Sequence, residues 1–391
     1  MRHYLDHAAT TPLRAEARDA WLEAATVVGN ASSTHGSGQD ARRLLEESRE
    51  RVAAVLDADP IEVVFTSGGT ESINLALQGL WRARAEGTSA IVLPDGEHHA
   101  TMDTVAALAD EGAEVRAVPI SAEGRIDRDG FAAALPGSAL ATALVANNEA
   151  GTINDVATLA AESADALVPL HLDAVAALGH VPLSFRTLRG GAVGHGGLVA
   201  LSIAGHKVGA PVGTGALVVA RSARLAPLLR GGGQQRGLRA GTQDVPGAAA
   251  LATAVELAEG ERDAENRRLR VLRDRLVAGI RERVPAAELL GDPHDRLPGN
   301  AHLLFRGAVG ESLLFLLDVA GVSVSTGSAC QAGVAEPSHV VMAMGRSERD
   351  ARSVLRFSLG RTSMEEDVEA VLSVIAEAYS RASGAGSAAR S

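Results

Sequence analysis

The chain has 391 residues and a formal net charge of −11, with 46% hydrophobic, 22% charged and only 3% aromatic residues. That balance describes a globular protein long enough for two cores, and its acidity disfavours a nucleic-acid or anionic-membrane surface. A single cysteine excludes a disulfide framework or a cysteine-rich metal centre. The opening Met1-Arg2-His3-Tyr4-Leu5-Asp6-His7 has no apolar signal core and no run suits a membrane span, so a cytoplasmic protein without metal is expected.

In chain order, residues 4–12 predict a short strand running into a turn, and 13–27 an amphipathic helix. The stretch Gly29-Asn30-Ala31-Ser32-Ser33-Thr34-His35-Gly36 is too small and polar for an element and reads as a loop able to line a site. A helix over 39–56 follows. Strand and helix then alternate, with strands at 61–65, 90–93, 115–118, 140–146, 169–172, 198–203 and 216–220 and helices at 70–86, 98–111 and 155–167. Short apolar strands between amphipathic helices imply a mostly parallel sheet covered on both faces, with ligands at the carboxyl ends of the strands. A long charged helix over 247–284 leads into strand 300–305, helix 311–319, strand 355–359 and helix 365–379. The expected organisation is a large α/β domain over 13–255, a smaller α/β domain from 1–12 and 256–381, and a flexible tail over 382–391.

The chemistry centres on Ala204-Gly205-His206-Lys207, where an apolar strand breaks into glycine-rich turns. Lys207 is the only lysine of the chain; all its other strong bases are arginines. Lysine alone of the two can lose its proton and form a Schiff base, so its placement at a strand end, with Asp173 at another, suggests pyridoxal phosphate (PLP) chemistry. Asp173 suits a protonated pyridine nitrogen, although an aspartate there is more often a turn residue. Thr66-Ser67-Gly68-Gly69-Thr70-Glu71-Ser72 joins a strand to a helix and suits a phosphate, or an ordinary helix cap. Asn147-Asn148-Glu149 and His98 follow strands too. Cys330, the sole cysteine, lies in the polar, glycine-punctuated stretch Ser325-Thr326-Gly327-Ser328-Ala329-Cys330-Gln331-Ala332-Gly333 and is a nucleophile candidate. Arg356 suits either a substrate carboxylate or an internal salt bridge; spacing does not choose.

Taken together these stretches resemble the cysteine desulfurases, PLP enzymes of the class V aminotransferase family. The motifs occur in family order: Thr66-Ser67-Gly68-Gly69-Thr70-Glu71, Glu97-His98, Asn147-Asn148-Glu149, Asp173-Ala174, Gly205-His206-Lys207, Arg239-Ala240-Gly241-Thr242 and Ser328-Ala329-Cys330. The resemblance implies the aspartate aminotransferase-like PLP transferase fold (fold type I) and a homodimer. It implies that Lys207 carries the cofactor, Asp173 pairs with the pyridine nitrogen, His98 stacks on the ring and Asn148 meets the ring oxygen. Gly69, Thr70 and His206 would hold the phosphate, completed by Thr242 of the opposite subunit. Arg356, helped by Asn30, would bind the carboxylate of L-cysteine. Cys330, on a loop suited to a swing, would take the sulfur as a persulfide for an acceptor protein or a small-molecule pathway enzyme, leaving L-alanine.

Several positions depart from the family pattern. Ala176 stands where a glutamine usually bonds the ring oxygen, Ala204 where a serine or threonine usually holds phosphate, and Ala31 where a proline is usual; extra residues fall around 189–197. Each lost hydrogen bond costs about 1 kcal/mol of cofactor binding. Two other readings stay open at this point. One is a different PLP enzyme on the same scaffold, such as a selenocysteine lyase, another C–S lyase or an epimerase; the other is a catalytically weakened scaffold homologue.

Overall fold

The structure, a computed structural model, describes residues 2–327 and 336–388. Its centre is a seven-stranded sheet in the order Val63–Thr66, Gly215–Val219, Gly197–Ala204, Pro169–Asp173, Ser138–Leu144, Ala90–Pro94, Glu114–Val118. The last five of these strands run parallel to one another. Gly215–Val219 runs antiparallel to both its neighbours. The reason is chain length: residues 205–214 are too few for the crossover that a parallel return would need. The inner strands are runs of Ala, Val, Leu and Ile buried on both faces, as helices on the two sides require.

Helix Val245–Arg283, 39 residues long, is the spine of the molecule. Its first half, including Leu251, Ala254 and Val255, packs into the core of the large sheet. Its second half, including Leu269, Leu276 and Ile280, packs into a second core with Leu303, Phe305 and Phe357. That second core covers an antiparallel sheet of Val354–Ser358, Asn300–Phe305 and Ala287–Leu290. The N-terminal strand His3–Tyr4 pairs in parallel with Val322–Ser323, Leu5 is buried in the second core, and Asp6 bridges to Ser358. The segment after it, residues 7–14, crosses from there to the first core.

Several boundaries differ from expectation. The strand expected from 61 begins at Val63, because Pro60–Glu62 forms a 3-10 turn in which Glu62 Oε2 accepts the N–H of Asp59. Helices Arg128–Ala134 and Phe185–Arg189 and strand Ala287–Leu290 were not expected; each is too short for a clear hydrophobic period. The last helix, expected to stop at 379 before a loose tail from 382, continues as Glu365–Ala388. Ala382 is fully buried in the second core, so the Ala/Ser/Gly composition hides a packing position there. Among the described residues no helix is long and apolar enough to cross a membrane.

The parallel strands end at Pro94, Leu144, Asp173 and Ala204, and His98, Asn148 and Lys207 all follow within a few residues of those ends. One edge of the sheet therefore gathers the polar groups.

Candidate active site

Strand Gly197–Ala204 runs into the 3-10 turn Gly205–Lys207. A Cβ on Gly205 would lie 2.3 Å from Thr214 Oγ1 and 2.9 Å from Ala210 Cβ, so this turn needs glycine. It presents Lys207, whose Nζ donates to the carbonyls of Ala8 and, at 3.0 Å, Ala9. Burial pulls the amine down to about 8, helped by the nearby Arg356 charge and opposed by Asp6 and Asp173. An amine in that range gives up its proton far more readily than a surface lysine.

Asp173 closes the neighbouring strand and is only 2% exposed. One carboxylate oxygen accepts the N–H of Val175 at 2.9 Å; the other has no hydrogen-bond partner among the described residues. Burial pushes this carboxyl up to about 6, partly offset by the Val175 bond and by Lys207. Two residues earlier on the same face, buried His171 sits between Thr142 Oγ1 at 2.9 Å and Ser202 Oγ at 2.8 Å. A fixed, neutral polar layer thus supports the aspartate.

His98 caps helix His99–Asp110, its Nδ1 accepting the N–H of Ala100 at 3.0 Å. Burial, Lys207, His99 and His339 push the ring down to about 4, so it is neutral, and with Nδ1 accepting, the proton rests on Nε2. Asn147 is scaffold: its Nδ2 donates to Gly96 O at 2.9 Å and its Oδ1 accepts the N–H groups of Glu149 and Ala150. Asn148 has no such side-chain bond among the described residues and lines a cavity of about 90 Å³ with Lys207, Ala8 and Ala176.

Arg356 is 4% exposed on strand Val354–Ser358. Its Nη1 donates to Asn148 O and its Nη2 to Asp6 Oδ1, both at 2.9 Å, while Nε has no partner among the described residues. The internal salt bridge is the contact present: an ion pair with Asp6 aims the guanidinium. Asp6 has no local signal for this role: residues 4–12 read only as a short strand running into a turn.

Helix Gly69–Arg82 begins against the strand ends: a Cβ on Gly69 would lie 2.8 Å from Val175 Cγ2 and 3.5 Å from Ala204 Cβ. Thr70 beside it is exposed, and the helix start leaves N–H groups pointing outward. The loop before it is held by Glu71, which accepts from Ser67 N at 2.6 Å and pairs with Arg239 at 3.0 Å. His206 Nδ1 lies 3.3 Å from Thr10 Oγ1, and burial and Lys207 hold its ring down at about 4. Thr242 is exposed on a separate cleft with Ser67, Gly215 and Arg239. Asn30 is not drawn to Lys207: its Oδ1 accepts Ser32 N at 2.9 Å within its own turn. Cys330 lies outside the described residues.

Residues 3–371 match the model of the aminotransferase class-V family. The chain belongs to the class-V aminotransferase family. An IscS-like cysteine desulfurase of Mycobacterium tuberculosis is 46% identical over 394 aligned positions, covering 99% of this chain and 98% of that protein. A cysteine desulfurase of Gluconacetobacter diazotrophicus is 43% identical, covering 95% and 92%. The solved structure of a NifS-like protein superposes with a TM-score of 0.89 at 31% identity, covering 97% of this chain and all of that one. The fold is that of the fold type I PLP enzymes. Class-V aminotransferases depend on PLP, and the site fits it. A buried amine of lowered basicity, a buried carboxylate with an unbonded oxygen and a helix start beside them are the groups that an aldehyde, a pyridine nitrogen and a phosphate call for.

Proposed function

We propose that the protein is a cysteine desulfurase, taking sulfur from L-cysteine to leave L-alanine and receiving it on Cys330 as a persulfide for an acceptor protein or pathway enzyme. The observation that carries this reading is the pairing of the sole lysine, buried and poised near neutrality, with Asp173 at the adjacent strand end. The full-length relatives named as cysteine desulfurases supply the substrate.

When bound, PLP supplies a protonated pyridine ring that accepts negative charge from the substrate Cα. The residues would divide the work around it. Lys207 Nζ holds the cofactor and then takes the Cα proton, which its lowered basicity and two carbonyl acceptors allow. The unbonded Asp173 oxygen keeps the pyridine nitrogen protonated, Asn148 meets the ring oxygen, and His98 lies against the ring with its proton on Nε2. Gly69, Thr70 and His206 take the phosphate. The free N–H groups of Arg356 bind the substrate carboxylate, with Asp6 fixing their direction and Asn30 assisting. Cys330 Sγ then attacks the substrate sulfur as the C–S bond breaks; the Cys330 proton and the Cα proton end on alanine carbons, and the sulfur stays on the enzyme. The reading includes a cytoplasmic homodimer, with Thr242 serving the opposite subunit, and a division into domains over 13–255 and over 1–12 plus 256–381, the second extended by the buried Ala382.

The test is incubation of the PLP-loaded protein with L-cysteine and a thiol reductant, measuring alanine and sulfide. Wild type makes both in equal amounts, and Cys330→Ala loses nearly all of both. Equal rates in the two proteins would make this a simple lyase; no product from either would end the desulfurase reading.

A further inference from the structure

The turn bearing His98 follows strand Ala90–Pro94, and the turn bearing Asn148 follows its neighbour, strand Ser138–Leu144. The turns are joined by Asn147 Nδ2 donating to Gly96 O. They are also reached by two consecutive residues of one distant segment. Ser338 Oγ donates at 2.5 Å to Oε2 of Glu149, the residue after Asn148. His339 Nε2 lies 2.9 Å from the carbonyl oxygen of Glu97, the residue before His98. A carbonyl only accepts, so Nε2 carries a proton and donates. The His339 ring also meets the ring of His99 edge to face, with centroids 4.7 Å apart.

This segment is a firm support. Ser338 is 1% exposed and caps helix His339–Ala343 by accepting Val341 N at 3.1 Å. Val340 and Val341 are buried in a third core with Ile120, Leu304 and Val354. Neither Ser338 nor His339 lines the cavity beside Lys207.

We propose that Ser338 and His339 are positioning residues that hold the His98 and Asn148 turns in register on either side of the cofactor. The inference rests on the reading that His98 and Asn148 face PLP. Ser338 acts through Glu149 on Asn148, and His339 acts through Glu97 and His99 on His98. Cutting either tie leaves the fold intact and loosens the grip on PLP.

The experiment compares PLP release from the holoenzyme on dilution, read from its visible absorbance. His339→Phe keeps a ring against His99 and removes the donor; Ser338→Ala removes the donor to Glu149. Each raises the PLP dissociation constant about five- to tenfold, the loss expected for one hydrogen bond in a buried site. His339→Gln, which restores an N–H donor, recovers most of that loss. Ser353→Ala removes another buried hydroxyl, one that donates to Ala308 O at 2.7 Å, and leaves PLP affinity at the wild-type level. Wild-type affinity in both His339→Phe and Ser338→Ala overturns the proposal, as does an equal loss in Ser353→Ala. Should Ser338→Ala not fold, the half-buried His339 carries the test alone. Failure of wild type to take up PLP at all would overturn the proposed function, and this inference with it.

Discussion

Two charged pairs belong to the site, and burial treats them differently. Lys207 and Asp173 stand at the ends of neighbouring strands of the large sheet and form no ion pair. Desolvation moves both toward neutrality, the lysine down to about 8 and the aspartate up to about 6. Arg356 and Asp6, on the side of the small sheet, are bonded at 2.9 Å, and Asn148 O takes a further guanidinium N–H. A buried charge paired with an opposite charge is fixed; one left without a counter-charge in contact is poised to change state. The side assigned to the chemistry is the one left without an ion pair, and the side assigned to holding substrate is the one that has one.

The sharpest way to break this contrast is Arg356→Lys, which keeps the charge and loses the planar fork. It should raise KM for L-cysteine about 10- to 100-fold while the absorbance of bound PLP stays as in wild type. Loss of PLP along with substrate affinity would put Arg356 on the cofactor side instead.

A second test uses Glu97, a buried carboxyl without an ion pair beside Asp173. It is 1% exposed, its Oε1 accepts Leu144 N at 2.7 Å, and its Oε2 has no partner among the described residues. Burial pushes its carboxyl up to about 8, with Asp173 adding to the effect. The folded chain therefore holds a proton that the unfolded chain has lost between 4.5 and about 8, and stability falls as pH rises through that window. Glu97→Gln keeps an acceptor for Leu144 and does not titrate. From pH 4.5 to pH 8 it should gain on the order of 2 kcal/mol over wild type in denaturant unfolding. Parallel pH profiles would mean that Glu97 belongs with the satisfied groups.

The smallest effect concerns the two alanines. Ala176 lines the cavity beside Lys207 and Asn148, and Ala204 faces the start of helix Gly69–Arg82. Ala176→Gln and Ala204→Ser should each tighten PLP binding about fivefold, one added hydrogen bond apiece. Unchanged affinity in an equilibrium titration would mean that those contacts are already made.

The strands of the large sheet are legible in the sequence because runs such as Leu198 to Ile203 are apolar without a helical period. Lys207 and Asp173 are legible for a related reason: each is a charge where such a run stops. Their surroundings are not. The carbonyls holding Lys207 lie 198 and 199 residues away, and Asp6 lies 350 residues from Arg356. Such pairings are set by how the N-terminal segment crosses between the two cores, which no local pattern records. Asn147 and Asn148 look alike in sequence; the bonds to Gly96 O and from the N–H groups of Glu149 and Ala150 make the first a scaffold. Ser338 and His339 carry no signal at all, since a serine before a short helix reads as a cap, which it also is.

The central claim is that Lys207 holds the cofactor through its amine, and the sole lysine makes it open to one measurement. The PLP-loaded protein is reduced with borohydride, digested and mapped by mass spectrometry. The account predicts a single pyridoxyl adduct, on the peptide containing Lys207. A protein that fixes no cofactor on reduction, or fixes it only at the terminal amine, would contradict it.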